Sequence, residues 1–261
     1  MRFKLVLSVH TEVHGNVLPI SYQYELSSCI NRLLTADREV YELWLRANGL
    51  SPLDNLQQKV YSLSNLYIPR ILVSGDRLTI KVPRVQCWIS FMPEVETEEF
   101  VRHCLEGKEI MLGDRVSRVL FSVDRIEAVS PVVYAETMEY TTLAPVVVMG
   151  MRPGGRLEFL APDNPVFAQF LIEELIERYE RLKKTTYVGA RDYHFELLCP
   201  PKRKGVSIRR FTPQERRVIG YMMKFRLTMS PELQRFAYET GLGDKIKVGF
   251  GYIELLHKKA K

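Results

Sequence analysis

This sequence has little of what a metal centre or a disulfide scaffold requires. Its four cysteines, Cys29, Cys87, Cys104 and Cys199, stand far apart with no CxxC pair. Reduced thiols in a cytoplasmic protein are therefore expected, not a disulfide framework or a zinc site. The five histidines form no ligand cluster either. His10 and His14 are four residues apart, but the turn residues around them argue against a helix that would align them. No metal and no cofactor is predicted. A run of about 18 apolar residues, the minimum for a membrane-spanning helix, is also missing. The opening Met1-Arg2-Phe3-Lys4-Leu5-Val6 alternates like a strand and lacks the apolar stretch of a signal peptide. Low-complexity segments are absent. The remaining composition, with 46% hydrophobic residues over 261 positions, is that of an ordinary globular chain able to build one large core or two small ones.

What is present is concentrated near the C-terminus. Residues Gly241-Leu242-Gly243-Asp244-Lys245-Ile246-Lys247-Val248-Gly249-Phe250-Gly251 place four glycines and two lysines in eleven positions, and the apolar run Tyr252–Leu256 follows. Glycine reaches φ > 0 and permits close approach of a ligand, so such a loop can aim several amide N–H groups at one anion. A flexible hairpin connection is the plainer reading of the same residues. The charge distribution separates the two. The whole chain carries +6, but residues 181–261 hold 19 Lys and Arg against 7 Asp and Glu, a net +12. The first 180 residues hold 18 against 24, a net −6. Lys202-Arg203-Lys204, Arg209-Arg210 and Arg216-Arg217 are the main clusters. A basic C-terminal third that also contains the glycine loop points to a polyanion-binding face, and to nucleic acid in particular. A mononucleotide enzyme is disfavoured, because no Gly-Lys-Ser/Thr ending occurs and the loop precedes a strand, not a helix.

Periodicity predicts an α+β chain. A strand over residues 2–10 precedes a helix over Tyr22–Leu34, with Leu26, Ile30, Leu33 and Leu34 on its apolar face. Asp37 suits the N-cap of a second helix, Glu39–Ala47, which Asn48-Gly49 ends. Short strands follow at Lys59–Leu63, Tyr67–Val73, Arg77–Pro83 and Cys87–Phe91, then a helix over Glu94–Leu105 and strands at Glu109–Leu112 and Val116–Val129. The pattern then restarts. A hairpin joins Pro145–Met151 to Arg156–Leu160, Asn164 caps a helix over Pro165–Leu182, and strands are predicted at Tyr193–Leu198, Val206–Arg210 and Arg217–Met229. Ser230-Pro231-Glu232 opens a last helix, and Gly249–Leu256 is the final strand. Each half reads as a ferredoxin-like βαββαβ unit, with the boundary in Ser130–Thr142. This gives two tandem domains, 1–135 and 136–261.

Several segments in this order resemble the CRISPR-associated endoribonucleases that cut repeat transcripts into guide RNAs, a family of the repeat-associated RNA-binding superfamily. The Gly241–Gly251 loop is the most specific of them. Leu18-Pro19-Ile20-Ser21-Tyr22-Gln23-Tyr24, Ala144-Pro145-Val146-Val147-Val148 and Leu160-Ala161-Pro162-Asp163-Asn164-Pro165 support it. The resemblance implies CRISPR repeat RNA as partner, with effector-complex subunits and a homodimer as further expectations. It also implies metal-independent cleavage, in which the RNA's own 2′-hydroxyl attacks the adjacent phosphate and leaves a 2′,3′-cyclic phosphate and a 5′-hydroxyl. The protein then has to align the nucleophile, move its proton and stabilise charge on the phosphorane. By the same resemblance the first domain holds the active site, while the second grips RNA through a basic hairpin and the glycine loop. The RNA-binding set is Lys202, Arg203, Lys204, Arg209, Arg210, Gly241, Gly243, Lys245, Lys247, Gly249 and Gly251.

The catalytic residues are where the chain departs from the family. Within Leu43-Trp44-Leu45-Arg46-Ala47-Asn48-Gly49, Arg46 stands where several relatives place histidine, and Asn31 stands where a tyrosine is expected. Lys59 remains. Arginine holds its proton near neutral pH, so it can stabilise charge but is a poor acid or base. Three readings stay open: histidine-free cleavage by Arg46 and Lys59, catalysis by a displaced His14, and a protein that binds repeat RNA without cutting it. Tyr22 and Tyr24 are candidate stacking residues, although the core is a competing place for both.

Overall fold

The computed structural model describes residues 1–53, 60–151, 155 and 157–256. In the first half the elements are β1 (Arg2–His10), a single helical turn α1 (Thr11–His14), β2 (Val17–Pro19), α2 (Gln23–Leu34), α3 (Arg38–Ala47), β3 (Tyr61–Leu63), β4 (Ile71–Ser74), β5 (Arg77–Ile80), β6 (Arg84–Phe91), α4 (Thr97–Leu105), β7 (Glu109–Gly113) and β8 (Arg118–Ala128). The main sheet has the order β3-β6-β1-β8-β7, with every neighbouring pair antiparallel. Without the edge strand β7, this is a βαββαβ unit. The alternation in β1 explains its central place. Phe3, Leu5 and Leu7 form one fully buried face, and such a period-two apolar set fixes register, because a one-residue slip would expose it. A small sheet, β2-β5-β4, is attached at one side. Asp37 caps α3 as expected, its carboxylate accepting from the Val40 amide.

The second half contains β9 (Thr137–Thr142), β10 (Met149–Met151), β11 (Leu157–Phe159), α5 (Phe167–Lys183), β12 (His194–Leu197), β13 (Lys202–Ile208), β14 (Arg216–Met222), β15 (Lys224–Thr228), α6 (Pro231–Thr240) and β16 (Ile253–Leu255). The sheet order β12-β15-β9-β16 repeats that of the first half. The fold is α+β, with tandem ferredoxin-like units. Two hairpins, β10-β11 and β13-β14, are inserted between elements of the second unit.

The helix predicted from an Asn164 cap begins at Phe167 with Val166 at its N-cap, the His10–His14 segment read as a turn forms the helical turn α1, and the predicted Tyr67–Val73 strand is reduced to Ile71–Ser74. Three further elements differ more. The first strand of the second unit is β9, inside the stretch read as the boundary; Pro145–Met151 contributes only the short β10. The predicted strand Arg217–Met229 is two strands. The chain changes partner at Met223, whose amide donates to Thr142 Oγ1 at 2.9 Å; β14 pairs with β13 while β15 pairs with β9. The predicted Gly249–Leu256 strand is reduced to Ile253–Leu255, and a 3₁₀ turn, Ile246–Val248, precedes it.

One core cluster runs through both halves, from Phe3, Trp44 and Phe91 to Tyr140, Leu175 and Phe236. Arg2 crosses between them. Its guanidinium lies over the Tyr238 ring and donates to Glu254 at 2.9 Å and to the Ile253 carbonyl at 2.8 Å. Such a cation at the sheet's first residue is tolerated only because carboxylate, carbonyl and aromatic partners replace water.

Candidate nucleic-acid interface

The glycine loop follows α6 and is buried for most of its length. All four glycines have positive φ. At Gly243 an added Cβ would stand 2.3 Å from the Val147 carbonyl oxygen, and at Gly251 the same distance from that of Leu242. The close approach that glycine permits here is therefore between protein backbones. The loop's amides are used in the same way: those of Leu242, Asp244, Gly249 and Gly251 donate to the carbonyls of Gly251, Val147, Ile246 and Pro145. The loop is a knot closed on itself and on residues 145–147, not the open amide cradle that the glycine spacing suggests. The loop's two lysines differ in exposure. Lys245 is exposed and Lys247 half-buried, and the Lys247 ammonium is lowered from its usual value by burial and then by Arg181. Asp244 Oδ2 accepts from the Met149 amide at 2.7 Å, and burial pushes its carboxyl up.

Arg178, from the middle of α5, anchors the start of the loop. Only 1% of its surface is exposed. Its fork donates to the carbonyls of Thr240 and Gly241 at 3.2 and 2.8 Å and to Thr240 Oγ1 at 2.6 Å, while Glu174 takes its remaining N–H groups. These carbonyls are the orphan acceptors at the end of α6, where a cation is favoured by the helix dipole.

Hairpin β13-β14 carries the basic cluster. Lys202, Arg203 and Lys204 are exposed. Val206 and Val218, opposite one another in the register, are buried against Val147 and Phe250 and seat the hairpin on the glycine knot. Arg209 is exposed at the tip and lies over the Tyr24 ring at 6.0 Å. Arg210 has a different role. Its guanidinium reaches Asp114 at 3.1 Å and Asp76 at 2.9 Å, so it ties the hairpin tip to the first half and is not presented to solvent.

The catalytic candidates do not converge. Arg46 is exposed on the last turn of α3 and pairs with Glu42 at 3.1 Å. That turn sits beside Glu94 and Val95, whose amides donate to Asn48 Oδ1, at the end of the sheet where Met1 meets Phe91. His14 is exposed at the close of α1, just past the other end of β1. A nine-residue strand spans roughly 30 Å, too far for both side chains to serve one phosphate. Lys59 lies outside the described residues. Asn31 accepts from the phenol of Tyr61 at 3.2 Å, and Tyr61 is buried. Among the described residues no group of three His, Cys, Asp or Glu could hold a metal ion, and no helix is long and apolar enough to cross a membrane.

The family model described as CRISPR associated protein Cas6, C-terminal, matches residues 126–255. The chain belongs to the Cas6 family. Among its relatives, the CRISPR-associated endoribonuclease-like protein Cas6nc of Pyrococcus horikoshii is 25% identical over 246 residues, covering 92% of this chain and 94% of the relative. The CRISPR-associated endoribonuclease Cas6 1 of Methanocaldococcus jannaschii is 24% identical over 267 residues, covering 96% and 91%. The structure of a Cas6-related gene product from Pyrococcus furiosus superposes with a TM-score of 0.80 at 23% identity, covering 99% of both chains.

In this Cas6-family chain the residues that shape the loop were the ones least visible in the sequence. Glu174 and Arg178 have the i,i+4 spacing of an ordinary surface pair, and nothing local marks them as the buried support of a loop more than sixty residues away. Asp244 was visible only as a polar residue between glycines.

Proposed function

We propose that this protein is a metal-independent endoribonuclease that cuts CRISPR repeat transcripts into guide RNAs. The RNA's 2′-hydroxyl attacks the adjacent phosphate, leaving 2′,3′-cyclic phosphate and 5′-hydroxyl ends. The observation that supports this most directly is the exposed Lys202-Arg203-Lys204 edge, mounted on the glycine knot of a Cas6-family fold. Residues 136–261 then grip the RNA phosphates, with Lys245 and Lys247 beside the hairpin, and residues 1–135 contribute the cutting groups. Arg46 and Lys59 would supply positive charge to the phosphorane, while RNA geometry supplies the in-line alignment. Arg210 is left out of the RNA-contacting set, because two carboxylates already hold it.

One observation favours a second reading, a repeat-RNA-binding protein that does not cut. Arg46 already pairs with Glu42, and His14 stands at the far end of β1. The deciding experiment incubates the purified protein in EDTA with a panel of CRISPR repeat RNAs. Cleavage to a 2′,3′-cyclic phosphate end is the expected result, with Arg46→Ala slower and His14→Ala unchanged. Tight binding with intact RNA would instead establish the non-cutting reading.

A further inference from the structure

A cavity of about 200 Å³ lies between the start of α2 and the basic hairpin, several times the volume of about 30 Å³ that a water molecule occupies. Two carboxamides line it, Gln23 and Asn65. Gln23 is only 7% exposed, yet its Oε1 and the Oδ1 of Asn65 are buried without a hydrogen-bond partner. Native proteins rarely leave buried polar atoms in that state.

Both residues are held firmly by their backbones. Gln23 opens α2, and its carbonyl lies where a Cβ on Gly249 would come within 2.8 Å, so the glycine knot is packed directly beneath it. The Asn65 amide donates to the Leu143 carbonyl at 3.0 Å, and its carbonyl accepts from Ser64 Oγ at 2.8 Å. Next to it, the Leu66 amide donates to the Tyr22 phenol, which binds this loop to the start of the helix. The frame is rigid, and the two amide heads are its unfilled part.

The remaining surfaces define what would fill it. Leu78, Pro145 and Met222 provide apolar walls, and Lys204 stands at the rim. A carboxamide presents a donor and an acceptor side by side, which matches the N6-amine and N7 of adenine; guanine's N7/O6 edge offers two acceptors and calls for arginine or lysine instead. No arginine lines this cavity. Unstacked bases of single-stranded RNA are commonly read in this way, by apolar faces and edge hydrogen bonds.

We propose that this cleft is a nucleotide subsite that takes one unstacked adenine of the bound RNA, with Gln23 and Asn65 on the base edge and Lys204 on the adjoining phosphate. The subsite rests on the RNA-binding reading above. The test measures binding of repeat RNAs in which each adenine in turn is replaced by purine riboside, which lacks the N6-amine. At one position the replacement should weaken wild-type binding about five- to a hundred-fold. Gln23→Ala and Asn65→Ala should bind unmodified RNA that much more weakly and become insensitive to replacement at that same position. Gln23→Met, which keeps the side chain's length but has neither the amide acceptor nor the amide donor, guards against a folding artefact and should show the same insensitivity while melting close to the wild type. If every replacement affects wild type and variants equally, the subsite is wrong while RNA binding stands. If the wild type binds no repeat RNA, the RNA reading fails first. Saturable binding of adenosine monophosphate, abolished by Gln23→Ala without any RNA position effect, would overturn the assignment in favour of a free nucleotide.

Discussion

At the scale of single residues, the two most consequential side chains are ionic groups placed away from water. Arg178 is a fully buried cation whose partners are the end of α6 and Glu174. Truncation would leave the Glu174 carboxylate, which burial already pushes up, without its counter-charge. Removing one member of a buried pair typically costs about 3–5 kcal/mol, so Arg178→Ala should lower stability by that amount in urea titration; a loss below about 1 kcal/mol would show that the network does not hold the loop. Glu25, on the first turn of α2, acts in the opposite direction. It lines a cavity with Asp114, Arg115, Arg118 and Arg210, and burial pushes its carboxyl up to about 7, against the lowering effects of its own amide and Arg210, with Asp114 adding to the rise. The folded protein thus holds a proton that the unfolded chain releases near 4.5. Native stability should fall as pH rises through the window from about 4.5 to 7, and this group should add no further slope above it. One pKa unit corresponds to about 1.4 kcal/mol, and solvent screening of a partly exposed carboxyl cuts the net effect to about 1–2 kcal/mol. Glu25→Gln should remove the slope, giving a variant that gains on the wild type as pH rises from about 4.5 to 7 in parallel melts. An unchanged pH profile would contradict this environment for Glu25.

At the scale of elements, the glycine knot makes a contrast that mutation can measure. Gly243 combines φ of +76° with a Cβ position 2.3 Å from the Val147 oxygen, whereas Gly15 has φ of +83° and nothing within 4 Å. Gly15→Ala should cost only backbone strain, about 1–3 kcal/mol, since its ψ of −160° puts it in a region that essentially only glycine adopts. Gly243→Ala adds displacement of residues 145–147 and should cost clearly more, about 3 kcal/mol or above. Equal losses would show that the knot yields without resistance. The same loop marks the limit of what sequence reasoning could reach. The glycines were legible as positions of positive φ, but whether the close approach served a ligand or the backbone depended on residues 145–147, a hundred positions away. The β9 strand, Thr137–Thr142, was missed because only Tyr140 and Thr142 are buried in it, so its alternation is weak. Its neighbours β15 and β16 define it as a strand more than its own residues do. The division of Arg217–Met229 was invisible for a related reason. Both parts favour β-structure, and only the pairing of Met223 with Thr142 reveals the change of sheet. Elements with strong local signals, such as the Asp37-capped α3 and the Ser230-capped α6, needed no such context and matched closely.

At the scale of the whole molecule, the separation of charge between a −6 first part and a +12 last part divides into two kinds of cation. Arg2, Arg178 and Arg210 are held by protein partners and connect the two halves or secure the knot. Lys202, Arg203 and Lys204 are exposed on a hairpin whose buried valines, Val206 and Val218, fix it to that knot. Only the second kind should exchange counterions for RNA phosphates. On single strands each phosphate contact contributes about 0.7 to the slope of log affinity against log salt. Replacing all three residues by alanine should therefore flatten that slope by up to about 2, with little change in melting temperature. Arg210→Ala should do the reverse. It removes one of the two cations that Asp76 and Asp114 share, leaving Arg77 alone between them, and loosens the hairpin tip, lowering stability, while the salt slope stays near that of the wild type. Measuring both variants by RNA binding across a salt series and by thermal unfolding separates the two roles. If Arg210→Ala flattened the salt slope as much as the triple variant, the hairpin would be gripping RNA with its tip, and the tie between the halves would have to open on binding.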